Sequence, residues 1–160
     1  MNKIRDGLKR EFKSIIIGSI ITIIAVAYYD GSYVYSLYYY SGNSGIDILL
    51  SGINSDITLL ISALLIIIAG VMIAYINKSK YKTGIIVALI SAVIGIYLST
   101  YLILALLIFS RHQNDPLTIF NIIIGPIYLV VLYFIPVGLL CIFGVFIGTS
   151  IKKLKNKYKS

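Results

Sequence analysis

The basic segment at residues 78–82, Lys-Ser-Lys-Tyr-Lys, is the only polar interruption between two long apolar runs. These runs, residues 57–76 and 84–109, contain no charged residue. At ~1.5 Å of rise per helical residue, each is long enough to cross a hydrocarbon core of ~30 Å. The pattern predicts a membrane hairpin whose two helices are joined by a basic turn.

Composition excludes an ordinary water-soluble domain. The 160 residues are 59% hydrophobic and 12% charged, whereas roughly 25% of the residues in a typical globular protein are charged. We therefore predict an all-α membrane protein, with four transmembrane helices in a single domain over residues 1–160. The predicted helices cover about residues 12–29, 57–76, 84–109 and 127–149. The predicted connections are outer loops at 30–56 and 110–126, a cytoplasmic turn at 77–83 and a basic tail at 152–160.

The positive charges predict the orientation of the helices. Of the 14 Lys and Arg residues, five precede residue 14, three lie in the central turn and five follow residue 151. Pairs of apolar runs separate these clusters, so all three fall on one side of the membrane, which the positive-inside rule makes the cytoplasm. We expect a multi-pass protein of the cell membrane with both termini cytoplasmic. Lipid, and not nucleic acid, is the partner that this distribution indicates.

The first apolar run, residues 14–29, has two interpretations. A basic flank, an apolar centre and the small-x-small sequence at 25–27 are typical of a cleaved secretory signal. The interpretation that we adopt is a retained first helix. Residues 1–13 are read as an unstructured flank, with a short amphipathic helix on anionic lipid as the alternative.

Residues 30–56 contain no Lys or Arg, and seven of the 14 tyrosines are concentrated at positions 28–40, in and just before this segment. Tyr combines an apolar ring with a hydroxyl group that needs a polar partner, so it concentrates at the level of the lipid headgroups. The residues predicted to lie at this outer interface are Tyr33, Tyr35, Tyr38, Tyr39 and Tyr40. The alternative is an aromatic surface that binds a partner protein or a polysaccharide.

Small residues mark the faces at which helices are expected to pack. One set in the third helix falls within about 100° of arc at 3.6 residues per turn, and small residues allow the close backbone approach that drives helix association in lipid. This set consists of Gly84, Ala88, Ser91, Ala92, Gly95 and Ser99. We expect the third helix to be central, with two candidate partner faces: Gly18, Thr22 and Ala25 on the first helix, or Ala63, Gly70 and Ala74 on the second.

The last apolar stretch, residues 117–151, is too long for one straight crossing. Pro126 predicts a break that leaves 117–124 as an interfacial or re-entrant piece, and Pro136 predicts a kink in the helix that follows. A second small face is formed by Cys141, Gly144 and Gly148, and we expect it to serve packing within the bundle.

The chain lacks the side chains that most membrane chemistry requires. No charged residue lies within the apolar runs 14–29, 57–76, 84–109 and 117–151, and the single cysteine excludes a C-x-x-C redox or zinc site. His112 and Asp115 share a short polar loop, where a solvated imidazole is the ordinary interpretation. We expect no catalytic residue, no cofactor and no metal.

The segment Lys80-Tyr81-Lys82-Thr83-Gly84, followed by Ala88, Ser91 and Gly95, resembles the central hairpin of a family of small archaeal membrane proteins with four predicted helices. The resemblance covers about a quarter of the chain, and most glycines of that family are Ile or Leu here. It implies the four-helix fold only, because that family has no established function.

Together these features predict a non-enzymatic integral membrane protein, a structural or assembly subunit that acts by helix packing in a membrane complex or a homo-oligomer. The alternative is a small transporter or channel gated by the Pro-kinked fourth helix. A third option, an enzyme accessory that handles lipid at the outer interface, has no residues to support it.

Overall fold

The computed structural model of the protein is all-helical. The four helices are α1 (Asn2–Tyr40), α2 (Gly45–Ile76), α3 (Tyr81–Arg111) and α4 (Pro116–Lys157). The structure describes the backbone of residues 2–40, 45–77, 81–111 and 116–158, and the side chains of residues 9–30, 56–77, 81–103, 127 and 130–158.

Each helix contains a segment long and apolar enough to cross a membrane. These segments are Lys9–Asp30, Asp56–Ile76, Tyr81–Ile103 and Val130–Lys157. Helices form here because a backbone in lipid has no water to bond, and an α-helix satisfies nearly all of its N–H and C=O groups within the segment itself. The predicted all-α class and the predicted number of membrane-length helices are confirmed.

The helices are longer than predicted around the first connection. Residues 30–40 and 45–56, assigned to an outer loop from the sequence, belong to α1 and α2, and the intervening residues 41–44 lie outside the described part of the chain. The prediction was wrong because hydropathy measures the length of an apolar run, and a helix does not end where its residues become polar. Between Gly31 and Gly42 the sequence contains no glycine or proline, so no helix-breaking residue interrupts the tyrosine-rich segment.

The predicted break before the last helix is not present. α4 begins at Pro116 and continues through Gly125 and Pro126 to Lys157, so residues 116–126 are helical and no separate piece precedes the crossing. Pro116 is suited to a first helical position, where its missing N–H has no intrahelical partner. Pro126 lacks the N–H that would donate one i→i−4 hydrogen bond, and long membrane helices tolerate the loss of one such bond. The kinks at Pro126 and Pro136 stay predictions.

The two ends of the chain also extend the helices. α1 starts at Asn2, where an unstructured flank was expected, and α4 carries the first six residues of the expected basic tail. Of the predicted turn at 77–83, only Asn77 lies outside a helix among the described residues, and its N–H still donates to the Ile73 carbonyl at 2.8 Å. Residues 78–80 are outside the described part.

The four helices form a ring in the order α1, α2, α4, α3. α1 and α4 each pack against both α2 and α3, whereas α2 and α3 meet only slightly across the diagonal. Consecutive helices run in opposite directions, so α1 is parallel to α3 and α2 is parallel to α4. The expectation that the third helix is central is wrong, because α3 has two principal neighbours, as every other helix has.

The core of the ring is built from small and β-branched side chains. Ile73, Ile96 and Val145 are fully buried, each contributed by a different helix. Large side chains instead cover the outside, where Val131 and Leu60 are 70% and 63% exposed. This distribution, small inside and large outside, is the one expected when lipid is the solvent.

Candidate functional site

The candidate site is the pair of interfaces between parallel helices. In the first of these, between α1 and α3, Gly18 faces Ser91 and Thr22 faces Gly95. A methyl group placed on Gly18 would lie 2.8 Å from Ser91 Oγ, and one placed on Gly95 would lie 2.5 Å from Thr22 Cβ. These distances are shorter than van der Waals contact, so the two helices approach each other as closely as these side chains permit.

Hydroxyl groups link α1 and α3 in both directions. Ser19 Oγ donates to the Ser91 carbonyl at 3.4 Å, and Ser91 Oγ donates to the Ile15 carbonyl at 3.3 Å. Thr22 Oγ1 donates to the Gly18 carbonyl of its own helix at 2.9 Å, an ordinary way for a buried Thr to satisfy its hydroxyl group. Its methyl group is thereby turned toward Gly95.

The second parallel interface, between α2 and α4, is made by backbone atoms. A methyl group on Gly70 would lie against the Cys141 carbonyl and 2.9 Å from Gly144 Cα, and one on Gly144 would lie against the Ile67 carbonyl and 3.0 Å from Gly70 Cα. One turn further, a methyl group on Gly148 would lie 2.8 Å from Ala74 Cβ. Only glycine fits at the point where Gly70 meets Gly144.

Cys141 lies inside the α2–α4 interface. Its side chain is fully buried, and Sγ lies 3.7 Å from the Ile66 carbonyl on α2, a weak hydrogen bond. The thiol is therefore enclosed by the interface that Gly70 and Gly144 close.

The two interfaces share one geometry. Gly18 and Thr22 face the residues 73 positions later in the chain, and Gly70 and Ala74 face those 74 positions later. In each interface, both helices present two small residues four apart at the same level. The chain is therefore two helical hairpins, α1–α2 and α3–α4, lying side by side in the same orientation.

The predicted packing residues of α3 divide between two neighbours. Ser91 and Gly95 face α1, whereas Gly84 approaches Val145 of α4, with 3.1 Å from a placed methyl group to Val145 Cγ1. Ala88, Ala92 and Ser99 are fully buried. Of the two candidate partner faces, Gly18 and Thr22 meet α3, and Gly70 and Ala74 meet α4 instead.

For the remaining predicted site residues, the structure gives the helix that holds them but no packing contact. Pro136 lies within α4 with its side chain exposed, and Pro126 lies in the same helix. Tyr33, Tyr35, Tyr38, Tyr39 and Tyr40 belong to α1. The side chains of Pro126 and of these tyrosines fall outside the described part, as do His112 and Asp115.

Sequence reasoning missed a polar link across the ring. Tyr133 OH on α4 donates to Asp30 Oδ1 on α1 at 3.3 Å, and the Tyr29 ring meets the Tyr133 ring edge-on at 6.5 Å between centroids. α1 and α4 are diagonal in the ring, and among the described residues these long side chains join them at this end. No sequence signal connects residues 103 positions apart.

Three buried hydroxyl groups have no hydrogen-bond partner within the part of the chain that the structure describes. They are Ser62 Oγ, Ser99 Oγ and Tyr81 OH. Across the same residues, no group of three or more His, Cys, Asp or Glu side chains is placed to hold a metal ion. The buried polar groups of the described residues are hydroxyl groups, backbone, the Cys141 thiol and the Asn77 amide.

Comparison with known proteins adds no relative: the chain matches no family model, no curated protein and no solved structure. The resemblance of the central hairpin to that of small archaeal membrane proteins therefore stays a prediction.

Proposed function

We propose that this is a non-enzymatic integral membrane protein of the cell membrane, a structural or assembly subunit that acts by helix packing, with both termini in the cytoplasm. The observation that carries the proposal is the contact between Gly70 and Gly144, where α2 and α4 touch through their backbones. A bundle closed in this way is a rigid body with an apolar exterior. Such a body is suited to presenting a fixed surface to another membrane protein or to a second copy of itself.

The small residues are used inside the chain and are not available to a partner. Gly18, Gly95, Gly144 and Gly148 are all buried between helices. An assembly surface must therefore be formed from the large apolar side chains on the outside. α4 offers such a surface at Val131 and Ile135, which are 70% and 66% exposed.

The test is purification in mild detergent followed by native mass spectrometry across a range of protein concentrations. We expect a homo-oligomer or a fixed set of co-purifying subunits. A species that contains one copy of this chain and only lipid, at every concentration and in native membranes, contradicts the proposal.

Four matched variants then locate the assembly surface. Each replaces an exposed isoleucine by tryptophan on a different helix: Ile24→Trp, Ile68→Trp, Ile90→Trp and Ile135→Trp. All four leave the buried interfaces unchanged, so the helix content is expected to remain that of the wild type. We expect the variant on the assembly surface to lose subunits while the other three serve as its controls.

The second candidate is a small transporter or channel gated by α4. Its support is the polar interior at the end where Asp30 bonds Tyr133, together with the buried hydroxyl groups of Ser62 and Ser99. Water or an ion could bond to such groups. Solute flux in reconstituted vesicles that is lost in a Ser62→Ala/Ser99→Ala variant would favour this function over the first.

A further inference from the structure

The lipid-facing stripe of α4 changes from apolar to basic at one level. Residues on this stripe recur every three or four positions, lie within about 80° of arc and are all exposed. In chain order they are Leu139, Phe143, Phe146, Ser150, Lys153 and Lys157. Phe143 and Phe146 are 55% and 51% exposed, so the stripe presents aromatic rings first and ammonium groups two turns later.

α1 and α3 repeat the pattern at the same end of the bundle. On α1, Lys9 and Lys13 precede an exposed stripe of isoleucines at positions 16, 20 and 24. On α3, Lys82 precedes an exposed stripe formed by residues 86, 90, 93 and 97. Three helices thus place lysines next to an exposed apolar stripe, at the end of the bundle where α1 and α3 begin and α4 ends.

The corresponding stripe of α2 ends in Tyr75, which is 51% exposed. Its hydroxyl group is held by α4, because Lys155 Nζ lies 3.4 Å from Tyr75 OH. Tyrosine and lysine side by side are typical of the level at which acyl chains give way to headgroups.

We propose that this basic rim, defined as Lys9, Lys13, Lys82, Lys153 and Lys157, binds the phosphate groups of anionic phospholipids whose acyl chains lie along the stripes above it. Glu11 is the only acidic side chain among the described residues at this end, so the rim has a large excess of positive charge. Anionic lipid is attracted to such clusters by an amount that grows with each basic residue near the surface. The apolar stripes favour a lipid as the ligand, because acyl chains can contact them, whereas a free phosphate ion would contact only the lysines.

The experiment uses the full chain with equal amounts of phosphatidylglycerol and phosphatidylcholine of identical acyl chains. Native mass spectrometry counts the lipids of each kind that remain bound. We expect phosphatidylglycerol to be in excess on the wild type. In a Lys13→Gln/Lys82→Gln/Lys153→Gln variant, the preference is expected to fall by roughly five-fold at each lipid site that loses one lysine.

The matched control is Lys13→Arg/Lys82→Arg/Lys153→Arg, which keeps the charge and should keep the preference. All three lysines are exposed, so helix content by circular dichroism should be equal in the two variants; single Lys→Gln variants at the same positions replace the triple one if it does not fold. Equal retention of both lipids by the wild type, an unchanged preference in the Gln variants, or complete displacement of the lipid by inorganic phosphate at matched ionic strength would overturn the proposal.

Discussion

α1 and α3 contact each other through side chains, whereas α2 and α4 contact each other through backbone. Between α1 and α3, the glycine on one helix faces a serine or threonine on the other, and two hydroxyl groups bond across. Between α2 and α4, glycine faces glycine, and the side-chain bonds across among the described residues are a weak one from Cys141 Sγ and an exposed one from Lys155 to Tyr75. Facing residues are 73 positions apart in one interface and 74 in the other. The same arrangement of two helices is therefore reached with side-chain contacts in one case and backbone contacts in the other.

This difference determines how each interface should respond to substitution. A side chain can be replaced or moved, so a change on one side of the α1–α3 interface can be compensated on the other. The backbone cannot be removed, so the α2–α4 interface has no compensating substitution at Gly70 or Gly144.

The largest effect is expected for Gly144→Ala. The added methyl group would meet the Ile67 carbonyl and Gly70 Cα, which cannot move without separating the helices. Overpacking of this kind costs about 3 kcal/mol at the upper end of its usual range. The free energy of unfolding in mixed micelles, followed by circular dichroism, measures it.

Gly138→Ala on the same helix is the control for this substitution. Its methyl group would meet only the Leu89 Cδ2 atom at 3.2 Å, a side chain that can turn aside. Alanine also favours helix over glycine by up to ~1 kcal/mol, so Gly138→Ala should be neutral or stabilising. Equal losses in the two variants would show that α2 and α4 are not in backbone contact.

A smaller effect, which can be reversed, is expected for Gly95→Ala. The new methyl group would meet Thr22, whose β-branched side chain is stiff, at a cost of ~1–3 kcal/mol. Thr22→Gly removes the two nearest atoms and leaves the Ser19 carbonyl oxygen at 3.3 Å. The double variant should therefore recover part of the stability lost in Gly95→Ala, less the ~1 kcal/mol that glycine costs in a helix. A double-mutant cycle gives the coupling, and strictly additive losses would place the two residues apart.

Ser91→Ala should cost about 0.6 kcal/mol, the average for a hydrogen bond between membrane helices. The loss is the bond from Ser91 Oγ to the Ile15 carbonyl. Ser150→Ala, at an exposed position of α4, is the matched control and should not change the unfolding free energy. A loss above ~2 kcal/mol at Ser91 would mean that the hydroxyl groups contribute more to the α1–α3 interface than close packing does.

The smallest effect concerns the reactivity of Cys141 in the α1–α3 variant Ser91→Ala. Cys141 is the only cysteine; its Sγ contacts the Ile66 carbonyl of α2 and also interacts with the Thr22 side chain of α1. Its labelling rate with N-ethylmaleimide therefore reports the opening of α2 from α4 and also responds to large movements of α1. We expect this rate to stay within roughly three-fold of the wild-type rate in Ser91→Ala and to rise strongly in Gly144→Ala. A large rise in both variants would mean that the two interfaces open together.

The sequence was sufficient to predict the class and the number of membrane-length helices because the runs at 57–76 and 84–109 carry no charge and have the required length. It was not sufficient to predict the helix ends. Hydropathy falls at Asp30 and at Asp56, but a helix continues for as long as its backbone bonds are favourable, and it does so through both residues.

Nor could the sequence assign partners to the small-residue faces. Gly18 and Thr22 have the same spacing as Gly70 and Ala74, so each set fitted the third helix equally well. The spacing of small residues shows that a face can be approached closely, but it does not show which helix approaches it. That choice depends on the ring order, which is fixed by contacts such as those of Ile73 with Gly18 and of Val145 with Gly84.

The offset of 73 to 74 residues between facing small residues also has a consequence for the order of synthesis. At about 5 to 20 residues per second, the ribosome needs roughly 4 to 15 seconds to add the residues that separate Gly18 from Ser91 or Gly70 from Gly144. During that interval the grooves of the first hairpin can be filled only by acyl chains. The nascent hairpin must therefore persist in the bilayer with acyl chains against its tightest contact surfaces, until the second hairpin emerges and displaces the lipid.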